Sequence, residues 1–170
     1  MLKFTPINPL AIMKKSTIPV TYGLAIAAGL IIYFLFLSLL GLHTKPYMSI
    51  LNAVIAGTGI YLALKNYKLY KGSHFKYQKG FMAGILTGFN ATIVFTIFIA
   101  LYASTFNPDF LSNMEWRLTG ETGLTIFLFE VAIMGFATSL VLTLSFMQLF
   151  KDSWNTPDGN RHTFNDKEKK

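Results

Sequence analysis

One acidic side chain stands inside a long uncharged stretch of the sequence, and it is the residue most able to carry chemistry. Glu130 lies within an apolar run from about residue 123 to residue 150. An ionised carboxylate is costly to bury in hydrocarbon, so such an acid is kept protonated, exchanges a proton or meets a partner group. We therefore take Glu130 as the first candidate functional residue.

Three polar residues in other apolar runs fall near the depth of Glu130 if each run is a helix. At about 1.5 Å per residue, all four lie roughly 14 to 18 Å from the outer end of their run. We predict an intramembrane polar cluster of Glu130, Asn90, Thr58 and Tyr33. Three interpretations remain open: a proton or solute site, a protonated glutamic acid that hydrogen-bonds neighbouring helices, or a carboxylate that meets a charged residue of another subunit.

Glycine recurs every fourth residue at Gly80, Gly84 and Gly88. This spacing predicts a helix-packing face, because a row of glycines lets another backbone approach closely. The partner is either another span of the same chain or a second copy in a homodimer. Asn90 lies about a quarter-turn from this row, which predicts two packing faces and a central position for the helix.

Nothing in the sequence indicates an enzyme. The chain has no cysteine, and His43, His74 and His162 are scattered, so no metal site is expected. No glycine-rich phosphate loop and no Ser/His/Asp arrangement is present. We expect neither catalysis nor a cofactor.

The elements that position these residues are four apolar runs. The chain is 52% hydrophobic and 14% charged, whereas soluble domains carry about 25% charged residues. The runs, at about residues 20–42, 47–64, 80–102 and 123–150, are apolar on every face and have the ~20 residues that span a bilayer as a helix. We predict an all-α integral membrane protein with a four-helix membrane domain over residues 20–150.

The basic residues predict the topology. Thirteen of the fifteen Lys and Arg residues lie in one set of flanks and two in the other. By the positive-inside rule, the N-terminal segment 1–19, the loop after the second span and the polar tail 151–170 are cytoplasmic. The net charge of +7 is thus read as a topology signal, and no nucleic-acid partner is expected.

The outer loop between spans three and four begins with Asn107-Pro108-Asp109. Asn at the cap, Pro in the first turn and Asp at the positive end of the dipole are typical of a helix start. Apolar residues then share one face. We predict a short interfacial helix with Trp116 at headgroup level.

Several short motifs, in this order and spacing, resemble a known family. They are Tyr22-Gly23-Leu24, Gly41-Leu42-His43, the segment Phe75 to Gly80, and Asn107-Pro108-Asp109-Phe110. The sequence resembles an uncharacterised bacterial inner-membrane family, domain of unknown function 4199, from about Thr17 to Lys151. The resemblance implies four membrane helices in a bacterial inner membrane, and it implies no activity or site residue.

Two functional hypotheses follow. The first is a non-enzymatic accessory or scaffolding subunit of a bacterial inner-membrane complex, because the chain has little extramembrane mass, glycine faces and one intramembrane acid. Its partners would be the lipid bilayer and other subunits or a second copy. The alternative is a small proton-coupled or passive transporter or channel that uses Glu130 in the bundle interior.

Overall fold

All regular elements are helical in the parts of the chain that the computed structural model describes, residues 17–42, 46–72, 75–106 and 120–150. The four long helices are α1 (Thr17–Leu39), α2 (Ser49–Lys71), α3 (Tyr77–Leu101) and α4 (Gly120–Leu149). A 3-10 turn at Pro46–Met48 precedes α2, and a π-helical turn at Tyr102–Phe106 continues α3. The predicted interfacial helix, most of the N-terminal segment and the tail lie outside the described residues.

A glycine ends α1 where the sequence changes from apolar to polar. Gly41 has a φ of +68°, a conformation that costs glycine little. The backbone N–H of Leu42 donates to the carbonyl of Leu37 at 2.9 Å, and that of Gly41 to Ser38 at 3.1 Å. This pair of bonds is a Schellman motif. The predicted first span, 20–42, is therefore shifted, since the helix runs from residue 17 to residue 39.

Three helical segments are long and apolar enough to cross a membrane, namely Thr17–Leu39, Tyr77–Phe106 and Gly123–Leu149. The uncharged part of α2, residues 49–64, has 16 residues and is about 24 Å long, less than a ~30 Å hydrocarbon core. Beyond it, α2 continues for two turns that carry Lys65, Lys68 and Lys71. Length and composition thus support three of the four predicted spans.

The helices pack around a shared apolar core. Ile26 and Leu30 of α1, Ile60 and Leu64 of α2, Ala91 of α3 and Met147 of α4 are buried together. The most extensive interfaces of α3 are with α1 and α4, and both α2 and α3 contact all three other helices. α3 is therefore central, as predicted, and α2 is central in the same sense.

The C-terminal ends of α1 and α3 are joined by aromatic rings and one hydrogen bond. Phe34 lies edge-on to Tyr102 at a centroid distance of 5.0 Å. The hydroxyl oxygens of Ser38 and Tyr102 are 2.6 Å apart. This contact fixes the π-helical turn against α1.

Candidate functional site

Glu130 is half-buried on α4; of its four neighbours at spacings of three and four residues, three are exposed and Phe127 is half-buried. Side chains at spacings of three and four residues share one side of a helix. Ile126, Ile133 and Met134 share the side of Glu130 and are exposed, as is the preceding residue, Phe129, at 67%. Among the described side chains, Glu130 is the single acid. The carboxyl group thus belongs to an outward-facing apolar surface, which we call the Glu130 face.

The Glu130 face belongs to the least covered of the apolar helices. In the most apolar 18-residue stretch of α4, 6% of the residues are buried, compared with 28% in the corresponding stretches of α1 and α3. The buried residues of the second half of α4 include Ser139, Thr143 and Met147, which repeat every four residues. One edge of α4 therefore packs against the protein, and about half of the described side chains of α4 are exposed.

The packed edge of α4 lies on the predicted glycine row of α3. A Cβ atom placed on Gly84 would lie 2.5 Å from Cγ2 of Thr143, and one placed on Gly88 would collide with the side chain of Ser139. A Cβ on Gly80 would lie 3.1 Å from Cε of Met147. The close approach that the glycines permit is thus made within the chain, by antiparallel packing of α3 and α4.

Asn90 lies on a different face of α3, against α1. A Cβ placed on Gly23 would lie 2.7 Å from the Cβ of Asn90 and 2.8 Å from the carbonyl oxygen of Thr87. Gly23 therefore provides the space that Asn90 occupies at the α1–α3 interface. The two packing faces predicted for α3 are used by two different helices, with Asn90 on one and the glycine row on the other.

Tyr33 and Thr58 satisfy their hydroxyl groups elsewhere. The hydroxyl of Tyr33 donates to the carbonyl of Met48 at 3.0 Å. Thr58 is exposed on α2 and donates to the carbonyl of Val54 at 2.9 Å, within its own helix. Among the described residues, no hydrogen bond joins any two members of the predicted polar cluster. Counting along each run fixes neither the register of one helix against another nor the direction in which a side chain points.

Sequence reasoning missed a contact network at the opposite end of the helices. Lys68 donates from Nζ to the carbonyl oxygen of Phe150 at 3.1 Å, and its ammonium lies 5.5 Å from the ring centroid of Phe75. A cation on the last carbonyls of α4 is favourable because the helix dipole is negative there. Lys68 and Phe150 lie 82 positions apart, so neither spacing nor composition could reveal the contact.

Two tyrosines complete this network. The side-chain amide of Asn66 donates to the hydroxyl of Tyr22 and ties α2 to the start of α1. Tyr67, beyond the apolar part of α2, is buried and stacks edge-on with Phe75 at 6.3 Å. Burial, together with the neighbouring Tyr70, raises the pKa of the Tyr67 phenol, which therefore stays neutral.

The long apolar helices define the class of the protein. Large apolar side chains are exposed on their outer faces, for example Ile32 at 68%, Ile97 at 55% and Phe129 at 67%. In water such a surface would be unfavourable, whereas lipid tails accommodate it. These are the features of a helical membrane protein whose outer faces contact lipid.

The chain belongs to the family described as "Protein of unknown function (DUF4199)", which it matches over residues 21–122. The family predicted from the sequence motifs is thus confirmed, over a shorter range than expected. The match covers most of α1, all of α2 and α3, and the first residues of α4, while Glu130 lies beyond it. No curated protein and no solved structure matches the chain.

Proposed function

We propose that the protein is a non-enzymatic accessory or scaffolding subunit of a bacterial inner-membrane complex, and that it docks its partner on the Glu130 face. The observation that carries the proposal is the combination of a sparsely covered α4 with a carboxyl group among exposed apolar side chains. Lipid tails offer a carboxyl group no hydrogen bond, so burial against a partner helix that offers one is favourable.

The chemistry of the partner follows from what the described residues lack near Glu130. The basic residues of the described parts of the chain are Lys65, Lys68, Lys71, Lys76 and Lys79. All five lysines lie at the end of the helices away from Glu130. The α3 glycines contact Ser139, Thr143 and Met147 in antiparallel order, so the start of α3 lies beside the end of α4. A partner helix that carries a hydrogen-bond donor or a cation at the depth of Glu130 would complete the site.

In the same proposal all four helices cross the membrane, with both termini cytoplasmic. Ile50 and Val54 of α2 are 67% and 60% exposed, which suits lipid contact along the short apolar part of the helix. The exposed Lys65 would then extend from the end of this part to the headgroups, as long basic side chains do at membrane boundaries. The uneven distribution of basic residues supports the orientation.

The alternative, a small proton-coupled or passive transporter, requires Glu130 in the interior beside Asn90, Thr58 and Tyr33. The exposed neighbours of Glu130, the exposure of Thr58 and the separate bond of Tyr33 favour the subunit hypothesis. For a transporter, Glu130→Gln in reconstituted vesicles would change the flux or its pH dependence. For the proposed subunit, no flux attributable to this chain is expected.

The direct test is extraction from the native membrane at native expression, in a series of detergents of increasing strength. We expect one membrane protein to accompany the chain at constant stoichiometry in gentle detergents and to dissociate in stronger ones, as measured by mass spectrometry of the purified complex. Recovery of the chain alone in every detergent would contradict the proposal.

A further inference from the structure

A second feature, independent of the Glu130 face, is the concentration of lysine at the opposite end of the helices. Lys65, Lys68 and Lys71 lie in the last turns of α2, and Lys76 and Lys79 lie at the start of α3. We call these five residues the lysine-rich end. Tyr67 and Phe75, 6.3 Å apart between ring centroids, hold the two helix ends together.

Among the residues that the structure describes, the positive charge of the lysine-rich end has no acidic counterpart nearby. There is no Asp or Glu between residues 17 and 106. The acid described on α4, Glu130, is about 28 Å along the helix from Leu149, well beyond the ~10 Å over which salt screens charges. Residues 151–170 contain five basic and four acidic residues, so this segment brings no net negative charge. Within the described residues, no carboxylate compensates these lysines.

The five lysines do not all have the same role. Lys68 is used by the protein itself, because it caps the carbonyl of Phe150 and lies over the ring of Phe75. Lys71 lies 5.6 Å from the ring centroid of Tyr70. The remaining three lysines are exposed, namely Lys65, Lys76 and Lys79. These three are therefore the residues that can bind an external anion without loss of an internal contact.

The start of α3 adds to the unbalanced positive charge. Lys76 is its cap residue, makes no side-chain capping bond, and is followed by no acidic residue in the first turn. The N-terminus of a helix is the positive end of its dipole, so Lys76 and Lys79 are unfavourably placed unless an anion lies close by. A phosphate group there would meet both the lysines and the favourable end of the dipole.

The position of the lysine-rich end relative to the apolar surface identifies the source of the phosphate. Lys65 directly follows the apolar part of α2, and Lys79 directly precedes Gly80, where the apolar run of α3 begins. Tyr70 and Tyr77 are 44% and 40% exposed beside them, and tyrosine is enriched at the level of lipid headgroups. We infer that the three exposed lysines of the lysine-rich end bind the phosphate groups of anionic phospholipids.

The experiment measures lipid selectivity directly. The full chain is reconstituted in phosphatidylcholine bilayers with a trace of spin-labelled phosphatidylglycerol or spin-labelled phosphatidylcholine, and the protein-bound fraction of each is compared. We expect phosphatidylglycerol to be preferred and the preference to fall with added salt. The triple variant Lys65→Gln/Lys76→Gln/Lys79→Gln should lower the preference by about fivefold or more.

Two control variants and one competitor make the result decisive. Lys65→Arg/Lys76→Arg/Lys79→Arg keeps the charge and should keep the preference, and Lys45→Gln, at the other end of the sequence-predicted spans, should leave it unchanged. Inorganic phosphate added at constant ionic strength should not displace the lipid. Equal binding of both lipids to the wild type, an unchanged preference in the glutamine variant, or displacement by inorganic phosphate would each overturn the inference.

Discussion

At the scale of single residues, the glycine row of α3 is explained by the side chains that face it. Ser139 and Thr143 of α4 lie directly over Gly88 and Gly84, so a Cβ at either position would have to displace α4. Gly57, on α2, differs: a Cβ there would lie 3.5 Å from the nearest atom, Cδ2 of Leu142, which is an ordinary contact. Glycine is therefore required by space at some positions of these helices and not at others.

The first prediction compares these two kinds of glycine. Gly88→Ala should destabilise the fold by about 1 to 3 kcal/mol, because the added methyl group overpacks the α3–α4 interface. Gly57→Ala should be neutral or stabilising by up to about 1 kcal/mol, since alanine favours the helix. Thermal unfolding in detergent, followed by circular dichroism, measures both. Equal loss of stability in the two variants would contradict the packing described for Gly88.

The second prediction concerns Lys68 and its exposed neighbour on α2. Lys68→Gln should lower stability by roughly 0.5 to 2 kcal/mol, because a cation is lost from the C-terminal end of α4 and from the ring of Phe75. Lys65→Gln, at an exposed position, is the matched control and should change stability by less than about 0.5 kcal/mol. The same unfolding measurement applies, and a larger effect at Lys65 would refute the capping role of Lys68.

At the scale of elements, the sequence predicts a residue pattern that repeats along one helix better than it predicts which helices contact each other. The spacing of Gly80, Gly84 and Gly88 is a periodic signal and predicts a packing face, yet it does not say which helix packs there. Thr58 shows the same limit, since its place in the apolar run could be counted and its exposure on α2 could not be predicted. The continuation of α2 to Lys71 was missed because apolarity, not helicity, ends near residue 64.

The third prediction tests whether the exposed face of α4 differs in function from that of α1. Phe129 on α4 and Phe36 on α1 are 67% and 57% exposed, so truncation of either ring should cost the isolated chain little. In the native membrane, Phe129→Ala should weaken recovery of the partner protein, because the ring borders Glu130, whereas Phe36→Ala should leave recovery unchanged. Quantitative mass spectrometry of the purified material compares them, and equal recovery would argue against docking on α4.

At the scale of the whole molecule, the packing of the helices bears on whether α2 crosses the membrane. Three segments are long and apolar enough by themselves, and α2 has a shorter apolar part. The packing of α2 on the other three helices supports a fourth crossing, because a helix that contacts all three is best accommodated within the same apolar layer. If α2 crosses, the positive-inside rule predicts that the lysine-rich end lies on the cytoplasmic side.

The fourth prediction uses the absence of cysteine from the sequence. Single cysteines are introduced at Tyr47, before α2, and at Lys71, its last residue. In intact cells with the outer membrane permeabilised, a membrane-impermeant maleimide should label Tyr47→Cys, whereas Lys71→Cys should be labelled only after the inner membrane is opened. Labelling of both residues from the same side would exclude a crossing by α2.

The central claim is that Glu130 holds a partner subunit on α4, and the most direct measurement is the mass of the complex in gentle detergent for wild-type, Glu130→Gln and Glu130→Leu chains at native expression. We expect the wild type to carry its partner, Glu130→Leu to migrate as the lone chain, and Glu130→Gln to retain part of the complex, since an amide preserves hydrogen bonding without the charge. A partner recovered equally with all three chains, or with none, would contradict the claim.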